Sequence, residues 1–391
     1  MLRFEEALEI ALSQIKPIST IKINFIESLG YILAEDILSD MDMPPFDKSS
    51  MDGYACKISD IHNELEVLEV IAAGDIPKKE IFNNQCSKIM TGAKLPIGAD
   101  CVIMVEHTEN ISINKIRFVK ESTAINISYC AEDIKQGEIV LQKGMKIKPQ
   151  HVALMASVGC IQPIVYKKPI VAVIATGSEL VEPGNLPGPT QIRNSNAYQL
   201  ISQIIRADFI PNYIGIAGDS EKETDLAIKK AISESDLVLI TGGVSMGDFD
   251  FVPKILRENG IRLLFEKILI KPGKPTVFGI HDKCVIFGLP GNPVATYIVF
   301  EILVKPCLNK MMGNQESLLS LTLPLGDTFK RKKIDRLAWI PAIINENCEV
   351  MPVEYHGSAH IHSLNKADVI FPVNIGVSEI KKGEKVHVRQ I

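Results

Sequence analysis

The stretch PIVAVIATGSEL, residues 169–180, is an apolar run that ends abruptly in Thr-Gly-Ser-Glu. A strand that is apolar on every position is buried on both faces, as strands of parallel sheets covered by helices are. Three further runs, DFIPNYIGI, SDLVLIT and IRLLFEKI, follow in the same texture. Helical periodicity falls between and after them, near 195–207, 220–234, 250–259 and 294–310. Ser220 with Glu223 forms a capping-box pattern, and Gly260 stands where a helix stops. The pattern predicts an α/β unit over 169–316 with a mainly parallel sheet.

In open α/β sheets ligands sit beyond the carboxyl ends of the strands. Three predicted strand ends carry glycines there. IVAVIAT leads into TGSEL, DLVLI into TGGVSMGDFD (241–250), and CVIFG into LPGNPVA (289–295), which opens a helix. Backbone N–H groups of such loops and a helix N-terminus suit an anion. This makes Gly242, Gly243, Ser245, Pro290, Gly291 and Asn292 candidate ligand contacts. Nearby, EKILIKPGKP (266–275) supplies Lys267, Lys271 and Lys274. With a strand over 262–270, Lys267 and Lys271 share a face and the Pro-Gly turn sets Lys274 beside them, a group suited to phosphate or another oxyanion. Glu179, Asp219, Asp248 and Asp250 also lie at strand ends. Carboxylates beside a phosphate repel it unless a hard cation bridges them, which points to Mg²⁺. Asp219 and Asp250 equally suit helix capping.

Outward from this unit the texture changes on both sides. Residues 3–15 and 24–36 each carry an apolar stripe at helical spacing, and KPQHVALMASVG (148–159) reads as a helix with Pro149 in its first turn and Gly159 as its stop. Between them, LEVLEVIAAG, ADCVIMVEH and KIRFVK predict a β-rich insertion at about 45–140 within an N-terminal part spanning 1–168. The helices end near 317, and 317–391 reads as a β domain. MPPFDKSSMDGYA (43–55) cannot be a core strand, because Pro44 and Pro45 lack ladder donors; it is either a polar ligand loop or a turn-rich linker. In the tail, HGSAHIH (356–362) places His360 and His362 on one face of a predicted strand, with no third ligand type nearby to argue for zinc. FKRKKIDR (329–336) reads as a solvated basic linker from which Arg336 could face a ligand.

Composition bounds the rest. With 391 residues, 46% of them hydrophobic, the chain can bury several cores. A net charge of −5 gives no nucleic-acid footprint. Eight scattered cysteines include no C-x-x-C pair, and no run reaches the ~18 apolar residues of a membrane helix. The expectation is a cytoplasmic protein.

Taken together, MPPFDKSSMDGYA, IMTGAKLPIGAD, ATGSEL, TGGVSMGDFDF, IKPGKPTVFG and FGLPGNPVA resemble, nearly end to end and in order, the MoeA family of molybdopterin molybdenumtransferases, relatives of the E domain of gephyrin. The resemblance implies an elongated homodimer with a β-rich inserted domain, a molybdopterin-binding α/β domain and a C-terminal β-barrel-like domain. It implies an enzyme that takes adenylylated molybdopterin and molybdate and, with Mg²⁺, releases AMP as molybdenum joins the dithiolene. Carried over residue by residue, it gives Asp52, Glu179, Asp219, Asp250, Lys267 and Lys271 catalytic roles, with Mg²⁺ at Glu179, Asp219 and Asp250. Thr91, Asp133, Lys274 and Arg336 join the glycine-loop residues as substrate contacts. The loop around Asp52 is expected to reach the α/β site of the opposite subunit. Partner proteins implied are the molybdopterin adenylyltransferase and other proteins of the cofactor pathway. Two departures stand out: Ser128 and Ala131 replace an arginine and a glycine common in the family, and Ala338 replaces a carboxylate near Arg336.

Two other classes compete. A stand-alone molybdopterin adenylyltransferase would use only the α/β unit and leave the N-terminal motifs and β tail unexplained. A non-enzymatic scaffold, a role the gephyrin relative also fills, lacks any long linker here to a second partner domain.

Overall fold

A computed structural model describes the chain except for residues 219, 244–251, 315–320, 354–356, 358, 359 and the side chain of 363. The α/β unit is built on a six-stranded sheet ordered Ile210–Ala217, Ile170–Thr176, Leu237–Thr241, Val285–Leu289, Val277–Ile280, Arg262–Phe265. The first four strands pair in parallel and the last two antiparallel, so the sheet is mixed at one edge. The parallel core is apolar on both faces because each face has its own cover. Val171, Val173 and Ala175 pack toward Ala197, Leu200 and Ile204, while Ala172 and Ile174 pack toward Ile228, Ala231 and Ile255.

The helices follow from their end signals. Ser220 accepts a hydrogen bond from Glu223 N at 3.2 Å and opens helix Glu221–Glu234. Helix Val252–Glu258 is followed by Gly260 at φ +76°. Helix Pro293–Val299 continues through a π-helical turn, Phe300–Val304, into Lys305–Met311. Pro149 occupies the first turn of helix Pro149–Ser157, and Gly159 at φ +72° follows it.

The inserted sheet runs Cys101–Met104, Gly53–Cys56, Gln85–Ile89, Glu64–Ile71, Lys115–Phe118, Thr108–Ser112 and closes over its own core of Tyr54, Leu65, Ile103 and Ile116. The C-terminal sheet runs Ile270–Lys271, Leu337–Ile344, Val369–Val373, Lys385–Gln390, Leu321–Pro324, with Val350–Pro352 beside Leu337–Ile344. Among the described residues no helix is long and apolar enough to cross a membrane.

Five expectations fail, each for a visible reason. The stretch 43–55 does contribute to a core strand: residues 53–55 open the buried strand Gly53–Cys56, paired on both sides, where a Cβ on Gly53 would strike Ile103 O. Residues 24–36 form a turn and isolated bridges rather than a helix. Gly30 sits at φ +84°, and the neighbours Ile32 and Leu33 bridge to Lys146 and Val165 and point into different cores. Opposite-facing neighbours are the signature of extended chain. The strand expected over 262–270 ends at Phe265. Leu269 N donates instead to Leu2 O at 2.8 Å, and Ile270–Lys271 pairs with Leu337–Ala338, so the chain leaves the central sheet before the lysines. Lys267 and Lys271 therefore do not share a strand.

The basic run 329–336 is not a solvated linker throughout. Phe329–Lys330 pairs with Glu379–Ile380, and the Arg331 guanidinium donates to the carbonyls of Val377 at 2.7 Å, Arg336 at 2.9 Å and Asn374 at 2.5 Å. Finally, His362 lies in a short 3₁₀ helix, Ile361–Lys366, with His360 just before it, rather than on a strand.

Candidate functional site

The carboxyl ends of the parallel strands converge as their glycines predict. Gly242 and Gly243 have φ of +94° and +62°, and a Cβ on Gly242 would sit inside contact distance of Thr176 O. Only glycine lets the Leu237–Thr241 strand end approach its neighbour this closely. Gly291, from the third strand end, has its nearest outside atom at Gly242 Cα, 3.8 Å from where its own Cβ would stand. Thr241 Oγ1 donates to Pro290 O at 3.3 Å, and Thr296 Oγ1 also donates to Pro290 O. The loop that opens helix Pro293–Val299 is thereby tied to the adjacent strand.

Around this junction lies a cavity of about 350 Å³, lined among others by Thr176, Glu179, Arg193, Asn196, Gly242 and Gly291. Glu179 folds back over Gly177, where any Cβ would collide with its carboxylate. Asn196 is the cross-brace: its Nδ2 donates to Thr241 Oγ1 at 3.1 Å and to Gly291 O at 2.7 Å. Asn194, just ahead of helix Asn196–Arg206, accepts from Ala197 N in its first turn at 3.2 Å and donates to Tyr213 OH at 3.0 Å. Tyr213 and Tyr198 both donate to Glu182, at 2.7 and 2.8 Å. Burial, then the hydrogen bond to Glu182, pushes the Tyr213 phenol above its usual pKa, so it stays a donor.

Of the residues expected from the sequence, Glu179, Gly242, Gly291 and Asn292 line this cavity, with Gly243 and Pro290 adjoining it. Asp219, Ser245 and Asp250 lie outside the described residues. Asp52 and Thr91 meet each other in the inserted domain. Asp52 Oδ1 accepts from Thr91 N at 2.6 Å and from Thr91 Oγ1 at 2.9 Å, and the backbone bond first, then the hydroxyl, holds its carboxyl below the usual range. Ser49 N donates to Ala93 O and Gly92 N to Ser49 O, so the 43–55 loop and the Thr91 loop form one edge. Asp133 joins that edge through its N–H on Met43 O at 3.0 Å.

The lysines divide. Lys271 lines a separate cavity of about 410 Å³ with Lys330, Arg331, Lys332 and Trp339, against the C-terminal sheet. Lys274 is exposed, its carbonyl accepting from Ile268 N at 3.1 Å, and Lys267 is half-buried. Arg336 places its Nε 3.4 Å from Asp335. None of these four residues lines the glycine-loop cavity. Sequence reading missed Asn194, Asn196, Thr176 and Thr241. The polar cluster Arg193-Asn194-Ser195-Asn196, directly before a helical pattern, was the available signal.

Comparison with known proteins decides the family. The model of the MoeA N-terminal region (domain I and II) matches residues 2–159, that of a probable molybdopterin binding domain 172–310, and that of the MoeA C-terminal region (domain IV) 322–391. A molybdopterin molybdenumtransferase of Staphylococcus epidermidis is 37% identical over 98% of this chain and 94% of its own. The chain belongs to the MoeA family. A second molybdopterin molybdenumtransferase, from Bacillus subtilis, is 34% identical over 93% of this chain and 87% of its own. The crystal structure of the molybdopterin biosynthesis moeA protein from Pyrococcus horikoshii OT3 superposes with a TM-score of 0.86 at 31% identity, covering all of both chains. The family places the chain in molybdenum cofactor biosynthesis, and its multidomain α/β fold is that of these relatives.

Proposed function

We propose that this chain is a molybdopterin molybdenumtransferase that takes adenylylated molybdopterin and molybdate and releases AMP. The observation that carries the reading is the junction of three glycine-bearing strand ends around one cavity with Glu179 on its wall. It stands in a chain 37% identical to a relative bearing that activity's name. The N–H groups of the Gly291 loop and the start of helix Pro293–Val299 offer donors to phosphate oxygens, while the Gly242 N–H donates to Leu289 O. Asn196 holds the Thr241 and Gly291 loops at a fixed spacing, so little reorganisation accompanies binding.

Mg²⁺ fits this donor set. Glu179 is the carboxylate that lines the cavity among the described residues, and no cluster of three metal-ligating side chains occurs among them. Mg²⁺ commonly takes one or two carboxylates and completes its shell with water and phosphate oxygens. Glu179, with Asp219 and Asp250, would hold it, and when bound it would stabilise charge developing on the departing AMP. The site is shared in a cytoplasmic homodimer, the Asp52–Thr91 edge of one subunit facing the glycine-loop cavity of the other. Support for this comes from Asp52 itself, an ionised and exposed carboxylate whose hydrogen bonds run to Thr91 in its own domain.

The test is AMP release from adenylylated molybdopterin, with and without molybdate and Mg²⁺. Asp52→Ala and Asp250→Ala chains, each inactive alone, are expected to regain partial activity when mixed under conditions of subunit exchange. Full cleavage in excess chelator would remove the metal from the reading. Absence of complementation despite exchange would remove the shared site.

A further inference from the structure

We infer that a second anion site, distinct from the glycine-loop cavity, lies where the three family regions of the chain meet, and that it takes a tetrahedral dianion of the phosphate class. A cavity of about 470 Å³ opens there. Its wall takes Lys146 from the N-terminal region, Arg206 and Lys305 from the α/β unit and Arg389 from the last strand. Cations that line a cavity are ordinarily matched by carboxylates, and here the match falls short.

Glu301 is the buried carboxylate of this wall, and it is saturated. Its Oε1 accepts from Gln203 at 2.8 Å and from Arg206, and its Oε2 lies 3.1 Å from Lys305. Asp208, the next carboxylate, binds Lys168 at 2.5 Å and reaches Lys146 only at 3.8 Å. Arg389 has no carboxylate partner among the described residues. Its guanidinium stacks 5.0 Å over Trp339, and its Nη1 is buried without a hydrogen bond. Burial alone lowers the Arg389 pKa, as expected of a cation with no counter-charge beside it. Among the described side chains that line the cavity, Lys146, Arg206, Lys305 and Arg389 thus face one carboxylate, Glu301.

Such an excess, partly desolvated, is stabilised by a mobile oxyanion that offers several acceptors to Lys146, Lys305 and Arg389 at once. The site is independent of the activity proposed above. An ion there would tie the three regions together, so the protein would melt at a higher temperature when it is filled.

Trp339 is the one tryptophan of the chain, and Arg389 lies over it, so its emission reports on this cavity. The full-length chain is titrated with inorganic phosphate against chloride at matched ionic strength. The expected result is a saturable change in Trp339 emission and a rise in Tm with phosphate only. Lys146→Met and Lys305→Met, neither of which touches Trp339, should each weaken the midpoint roughly tenfold, the scale of one charge-assisted hydrogen bond. Lys146→Met removes only a long surface pair, so it keeps the test valid should Lys305→Met fold poorly. Lys271→Met should leave the midpoint unchanged, since Lys271 belongs to a neighbouring cavity, one that Trp339 lines directly. No response beyond chloride, an unchanged midpoint in Lys146→Met, or a response abolished by Lys271→Met would each overturn the assignment.

Discussion

The glycine-loop cavity and the 43–55 loop both combine glycine, serine and carboxylate, yet they are made in opposite ways. At the cavity, Gly242 lets main chain meet main chain, and Asn196 and Thr241 tie the Gly291 loop to it with hydrogen bonds facing inward. At the loop, the exposed Asp52 carboxylate takes its hydrogen bonds from Thr91, and the surrounding bonds join one loop to another. The first region is a site fixed by backbone shape, which side chains only brace. The second is a carboxylate presented at an exposed edge. A polar, turn-rich composition thus says where a chain turns; whether a concave site results depends on what the turn packs against.

The contrast can be broken most directly at Gly242. Gly242→Ala places a Cβ at φ +94° against Thr176 O, and the conformational cost alone is about 1–2 kcal/mol before the clash is counted. Loss of ligand binding and a clear fall in Tm are expected; a variant with wild-type Tm and binding would show that the backbone junction does not define the site. Asn196→Ala comes next. It deletes the brace and leaves the Gly291 carbonyl short of a donor, at a cost of about 1–3 kcal/mol readable in urea denaturation. Denaturation midpoints that do not move would mean the loops hold their spacing unaided.

The loop side predicts smaller effects. Ala131, a non-glycine residue in the left-handed region, sits at φ +60° beside this loop, its N–H on Pro44 O at 3.0 Å. Ala131→Gly should relieve left-handed strain and stabilise by about 0.5–1 kcal/mol net of glycine's entropy, checked by the shift in Tm. A destabilised variant would show that the loop tolerates alanine without strain. The smallest effect concerns protonation. The depressed Asp52 pKa contributes stability above its unfolded pKa, and that contribution is lost as pH falls through the lower folded value. Thr91→Val removes the hydroxyl donor but keeps the N–H, so the Asp52 pKa should rise partway toward its usual value in a carboxyl ¹³C NMR titration. An unmoved titration would assign the whole depression to the main-chain bond.

The sequence carried the α/β fold class because each of its signals is local. Apolar runs ending in glycine, Ser220 with Glu223, Pro149 and Gly260 act within a few residues, and the chain obeys them wherever no stronger contact intervenes. Glu179, Gly242 and Gly291 were legible for the same reason: a strand end at a parallel sheet's carboxyl edge has one place to go. Local signals failed where distant segments compete for the same backbone. Residues 24–36 have helical spacing, but Lys146 and Val165 offer bridges that bury Ile32 and Leu33 on two sides at once.

Tertiary structure alone decided how the charged residues group. Lys267, Lys271 and Lys274 are neighbours in sequence, yet the pairing of Leu269 with Leu2 and Leu337 carries Lys271 to the C-terminal sheet, away from the glycine loops. Lys146, Lys305 and Arg389, scattered through the sequence, come together at one cavity. Asn196 becomes a brace only because the Thr241 and Gly291 loops are brought to it. Periodicity and end signals fix elements through short-range sterics and hydrogen bonding. The meeting of charges depends on which elements pack side by side, and that is settled by burial across the whole chain.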